Sequence, residues 1–322
     1  MGCKTGGRVA IAGAGVMGAS LAQVYAAAGY EVPLYDIGEE FLARGRELIA
    51  LNQPTMVKEG LLTRAESEAL VARISYTRGK DCFSDPALDL VLETIVERLD
   101  VKQDFWAEVS RLAPAGALLA SNTSGLHIRD IAAKMAPEDR ARFIGQHWLN
   151  PPHLLPLCEL IVGEDTAPGT VERMKELVAD LGKKPVVVRD INGFIINRLQ
   201  FAILREALHI VESGAATMED VDDVMRYGLG LRYAALGSFR TADLGGLDTF
   251  DHISGYLFAD LCDQKERSET LHTLVEAGKL GVKSGAGFYD YSDGKADEAI
   301  RERDELFIRL AKTLYHSGEA KA

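Results

Sequence analysis

From Arg8 onward the chain alternates between short continuous apolar runs and longer stretches in which apolar residues recur every three or four positions. Continuous runs bounded by turn signals are the pattern of strands buried on both faces; the wider spacing is that of helices packed on one side. RVAIA, a glycine cluster, a helical stretch and a second apolar run ending at Asp36 form a β-α-β unit. Further strands are predicted at 88–96, 118–121, 142–147, 158–162 and 185–188, mostly separated by helical patterns such as 99–112 and 170–181. After Asp190 this alternation stops, and helices are predicted at 193–212, 248–261, 268–276 and 295–315. Thr217-Met218-Glu219-Asp220 has the form of a capping box opening another. The pattern divides the chain into residues 1–188, an α/β domain with a doubly wound, mainly parallel sheet, and residues 189–322, an all-helical C-terminal domain.

Gly13, Gly15 and Gly18 fall in G-x-G-x-x-G spacing between the first strand and its helix. The first glycine makes the tight turn, the second admits a pyrophosphate, and the third lets helix and strand approach closely. The amides that open the helix, from Val16 and Met17 on, then face the phosphates. Asp36 follows Gly18 by 18 residues and ends the second strand, where a carboxylate accepts hydrogen bonds from the adenosine ribose. A 2′-phosphate would meet like charge there, and the next basic residue is Arg44, so the reading is a Rossmann-type domain for NAD rather than NADP.

Composition narrows the class. The 322 residues are 47% hydrophobic and 26% charged, enough for two packed cores. A net charge of −12 with no basic cluster argues against nucleic acid and anionic membrane as partners. No apolar stretch approaches the roughly 18 residues of a membrane span. Cys3, Cys82, Cys158 and Cys262 are dispersed and form no C-x-x-C pair, which reads as free thiols in a cytoplasmic protein with no metal site.

Of the seven histidines, His147 closes an apolar strand, directly before Trp148-Leu149-Asn150-Pro151-Pro152, where this fold class puts its ligands. Twelve residues on, Glu159 interrupts the apolar run Leu157–Val162. Two arrangements satisfy that carboxylate: an edge strand that turns it to water, or a proline-rich turn that returns it alongside His147 to fix the imidazole tautomer. Asn197 shares a helix face with Phe194, Phe201, Leu204 and Leu208, either cross-linking helices or serving a ligand. Ser121-Asn122-Thr123-Ser124 follows another strand, as a plain turn or as hydroxyls at the same sheet edge.

Together these segments resemble the 3-hydroxyacyl-CoA dehydrogenase family from Arg8 to Tyr291, through GAGVMG, ETIVERLDVK, SNTSGL, HWLNPP with CEL, NGFIINRL and GKLGVKSGAGFY. The resemblance implies His147 as general base, Glu159 as its orienting partner, and Ser124 and Asn197 as ligands of the substrate oxygen. It further implies that Glu97, Lys102, Ser124 and Lys283 contact NAD, and that the protein is a homodimer through its helical domain.

The departures concern the substrate, for which the resemblance implies a 3-hydroxyacyl-CoA or a closely related 3-hydroxy acid. HWLNPPHLLPLCEL, NRLQFAILREA and GLGLRYAALG are similar to the branch containing gulonate 3-dehydrogenase and lambda-crystallin, which acts on free hydroxy acids. Arg232 is then a candidate clamp for a substrate carboxylate, or a surface arginine. The stretch 44–64, where a CoA nucleotide is expected, offers only Lys58 near its middle. An NAD-binding protein without turnover, crystallin-like, is the alternative from another class.

Overall fold

The computed structural model describes residues 7–316; Cys3 lies outside them. Chain contacts divide it into two compact units, one running to Ile195 and taking in Asp304–Ala311, the other holding Ile196–Arg303 and the residues from Lys312.

The first unit is a sheet of eight strands: β1 (Arg8–Ala12), β2 (Val32–Tyr35), β3 (Ile74–Thr77), β4 (Leu88–Glu93), β5 (Leu118–Ser121), β6 (Phe143–Trp148), β7 (Leu157–Val162) and β8 (Lys184–Arg189), in the order β3-β2-β1-β4-β5-β6-β7-β8. Every neighbouring pair is parallel except β6 and β7, whose proline-rich connection is too short for a crossover. Its helices are α1 (Val16–Ala27), α2 (Glu39–Lys58), α3 (Arg64–Ala72), α4 (Leu99–Leu112), the single turns α5 (Ile128–Ile131) and α6 (Pro137–Arg140), and α7 (Pro168–Asp180).

Alternation along β1 shows why its sequence is continuously apolar. Val9 and Ile11 enter a core with residues of α1, α2, α3 and α7, while Ala10 and Ala12 enter a second core with Trp106, Val109 and Ile128. Trp106, fully buried, packs edge-on against Phe143 at 4.9 Å between ring centroids.

The second unit contains α8 (Ile196–Glu212), α9 (Met218–Val224), α10 (Gly230–Gly245, interrupted at Gly237 with φ 74°), α11 (Leu247–Leu257), α12 (Glu269–Glu276) and the start of α13 (Lys295–Ala311). The Thr217 capping box is present, closed by Asp220. Two expectations are corrected. α8 starts at Ile196 rather than 193, because Gly193 and Phe194 take left-handed backbone angles of φ 72° and 51° that no α-helix contains. The second half of α13 belongs to the sheet unit: Ile308 is buried there, Glu305 pairs with Lys58 at 2.5 Å, and Arg309 lies 3.6 Å from Glu59. No helix among the described residues is long and apolar enough to cross a membrane, and they contain no cluster of three or more His, Cys, Asp or Glu side chains arranged to hold a metal ion.

Candidate active site

The parallel strands place their carboxyl ends along one edge of the sheet, and the glycine turn is there. Gly13 adopts φ 101°, and a Cβ on Gly18 would stand 1.7 Å from the Gly13 carbonyl oxygen, so the turn tolerates no side chain at the third glycine. The Thr94 hydroxyl donates to the Ala12 and Gly13 carbonyls, each at 3.0 Å, and bolts the turn to the end of β4. α1 then starts from Gly15 with no capping side chain, leaving the amides of Val16, Met17 and Gly18 at an open helix start. A Cβ at Gly15 would meet nothing within 4 Å, which is the space a phosphate needs.

This turn opens on a cleft of about 700 Å³ that Asp36 lines together with apolar Val16, Ile37, Phe41 and Val96. The Asp36 carboxylate accepts the amides of Ala14 and Ile37, both at 2.7 Å. A largely apolar cleft lined by a carboxylate beside a turn of uncapped amides fits an adenine dinucleotide. Arg44 and Lys80 line the same cleft, Lys80 paired with Glu108 at 2.5 Å. Counting basic residues downstream of Asp36 missed Lys80, which the fold brings in from after β3.

Farther along the same edge, β6 and β7 pair with His147 directly opposite Glu159. His147 Nδ1 is 2.9 Å from Glu159 Oε2, and the two side chains are only 3% and 2% exposed. The other carboxylate oxygen accepts the Ile195 amide at 3.0 Å. That amide is delivered by the left-handed turn at Gly193 and Phe194, and the same turn sets the buried Phe194 ring 5.3 Å from the imidazole. Of the two arrangements open to Glu159, the paired one is found.

Ser124 ends a chain of charged groups that sequence reading did not connect. Glu93, at the end of β4 and fully buried, holds the Lys102 ammonium, the Ser121 hydroxyl at 2.7 Å and the Ile95 amide at 2.9 Å. Lys102, 1% exposed, reaches Glu97 Oε2 at 3.1 Å. Glu97 in turn accepts the Thr123 hydroxyl and the Ser124 amide, the latter at 2.9 Å. Burial works against the Glu97 carboxylate, but Lys102 and the Thr123 and Ser124 hydrogen bonds outweigh it and hold its pKa below the ordinary value. Lys102 is therefore enclosed, and Glu97 is the exposed carboxylate of the chain. Nothing in the local pattern marks Glu93 as an anchor, since Lys102 is nine residues away and Ser121 is on another strand.

Asn197, Arg232 and Lys283 belong to the helical unit: Asn197 is half-buried in the first turn of α8, Arg232 is exposed on α10, and Lys283 is exposed in a short turn at Val282–Ser284. Burial pushes the Cys158 thiol well up and the Cys82 thiol to about 12, which disfavours the thiolate at both.

The sequence matches the NAD binding domain of 3-hydroxyacyl-CoA dehydrogenase over residues 8–191 and the C-terminal domain of the same family over residues 193–291. A 5-formyl-3-hydroxy-2-methylpyridine 4-carboxylate 5-dehydrogenase from Mesorhizobium japonicum is 34% identical over 94% of this chain and 96% of its own length. A probable 3-hydroxybutyryl-CoA dehydrogenase from Deinococcus radiodurans is 38% identical over 87% of this chain and 99% of its own. Among solved structures, a 5-formyl-3-hydroxy-2-methylpyridine 4-carboxylic acid 5-dehydrogenase, described as an NAD+-dependent dismutase, superposes with a TM-score of 0.88 at 32% identity, covering 97% of this chain and 99% of that one. With both domains matched and the cleft fitted to the dinucleotide, the chain belongs to the 3-hydroxyacyl-CoA dehydrogenase family and is an NAD-dependent oxidoreductase.

Proposed function

We propose that this protein oxidises the 3-hydroxyl of a hydroxy acid, or of its CoA thioester, to the ketone, with His147 as general base. The observation that carries the proposal is the buried His147–Glu159 pair at the sheet edge that also holds the glycine turn. Glu159 engages Nδ1, so Nε2 is the ring atom assigned to take the hydroxyl proton. The Glu159 charge then steadies the imidazolium that forms, while Ser124 and Asn197 hold the substrate oxygen. When bound, NAD supplies the acceptor for the hydride leaving the carbinol carbon. Asp36, Glu97 and Lys283 are assigned to cofactor contact, with Lys102 acting through Glu97, and Arg232 to the substrate carboxylate.

One observation favours the free acid over the thioester. Family resemblance puts a CoA nucleotide against residues 44–64, yet Lys58 and Glu59 there are engaged by Glu305 and Arg309 of α13. The TM-score of 0.88 to an enzyme named for a small pyridine carboxylate points the same way.

The helical unit supports a homodimer: α8 to α12 contain no buried residue, and Phe239, Tyr227 and Leu231 are 89%, 73% and 69% exposed, an apolar surface suited to a second copy.

The test is NADH absorbance with NAD and a panel of free 3-hydroxy acids, hydroxymethyl pyridine carboxylates and 3-hydroxyacyl-CoA esters. Turnover of a hydroxy acid or its thioester supports the proposal, and preference for free acids supports the second reading. Binding of NAD without turnover of any of them overturns the proposed substrate class.

A further inference from the structure

His147 is secured on its β7 side by Glu159, but β6 runs beyond the strand on its other side. The β5–β6 ladder stops at Ser121 opposite Gly145, whereas β6 continues through Gln146, His147 and Trp148. The amide of Trp148, the residue after His147, therefore faces the end of β5 with no backbone acceptor in register. A side chain supplies one: Trp148 N donates to Asn122 Oδ1 at 2.9 Å. Asn122 is itself fixed, because its own amide donates to the Glu93 carbonyl at 2.8 Å, and it is only 8% exposed. One residue thus ties the ends of β4, β5 and β6 together, two positions before Ser124.

We propose that Asn122 is a positioning residue for His147, holding the imidazole in register with the Ser124 turn. The inference rests on the role given to His147 above. A buried amide hydrogen lacking its acceptor is costly enough that the strand end shifts to find another. A displacement of about 1 Å at a reacting group costs up to about a hundredfold in rate.

The experiment is a double-mutant cycle on the full chain with Asn122→Ala, His147→Gln and the double variant, read by kcat and by NAD binding through fluorescence quenching. We expect Asn122→Ala to lower kcat at least about tenfold with NAD affinity retained, and to add less than about twofold in the His147→Gln background, as residues acting in one unit do. Equal losses in both backgrounds, or full activity of Asn122→Ala, overturn the proposal. Undiminished turnover of His147→Gln alone instead sinks the general-base assignment, so the two failures are distinct. If Asn122→Ala does not fold, Asn122→Ser enters the same cycle, since its hydroxyl is too short to reach Trp148 N from the same backbone.

Discussion

Glu159 stands opposite His147 on the antiparallel neighbour strand, its two carboxylate oxygens divided between the imidazole at 2.9 Å and the Ile195 amide at 3.0 Å. Glu159→Gln keeps an acceptor for the amide but removes the charge that steadies an imidazolium. Turnover is expected to fall by about 10²-fold or more with the fold intact, as judged by circular dichroism and NAD binding. A variant within a few-fold of wild type would remove Glu159 from the catalytic unit.

Lys102 sits between two carboxylates, one of them fully buried. Lys102→Met leaves Glu93 uncompensated and should destabilise the protein by about 3–5 kcal/mol in urea unfolding. Adding Glu93→Gln should restore most of that loss, because the stranded charge goes with it. Failure of the second change to recover stability would mean that packing, not charge, dominates the site.

Asp36 lines the cleft just after the end of β2. Asp36→Ala should weaken NAD by about tenfold or more, as expected for a lost charge-assisted hydrogen bond. NADP should gain relative to NAD in the variant, since Arg44 and Lys80 line the same space. Calorimetric titration of both nucleotides reads the ratio directly; an unchanged ratio excludes Asp36 as the discriminator.

Lys183 donates to the Pro152 and Leu155 carbonyls at 2.8 and 2.9 Å, holding the connection between β6 and β7. Burial pulls its pKa down to about 8, only partly opposed by Cys158, from an unfolded value near 10.5. Between those values the unfolded chain binds more protons, so this group's contribution to stability rises with pH from 8 to 10.5 and is lost as pH falls through 8. The stability difference between wild type and Lys183→Met should therefore grow in favour of wild type across that window, measured by urea unfolding at pH 7 and pH 10. A flat difference contradicts it.

Much of this was legible because it is local. The glycine turn, the capping box at Thr217 and the strand at 118–121 depend on neighbours within a few residues, and β5 and α4 appear where the spacing puts them. The return of Glu159 to His147 was legible as one of two options, since prolines forbid the strand from continuing. The rest depends on partners distant in sequence. Glu93 looks like an ordinary strand end until Lys102, Trp106 and Ser121 close around it. Asn122 reads as a turn residue, and its task is set by how far β6 outruns β5. β3 is too short, at Ile74–Thr77, to stand out between helices. Phe194 fits a helical period and yet lies outside the helix, because periodicity carries no information about φ.

The placement of Asp304–Ala311 in the sheet unit bears on biosynthesis. A ribosome releases β1 to β8 long before it releases those eight residues, so during translation α2 waits without Glu305 and Arg309. The nucleotide-binding half reaches its finished form only after the helical half has been made, and a chain cut short before Asp304 would expose a surface that the finished protein covers.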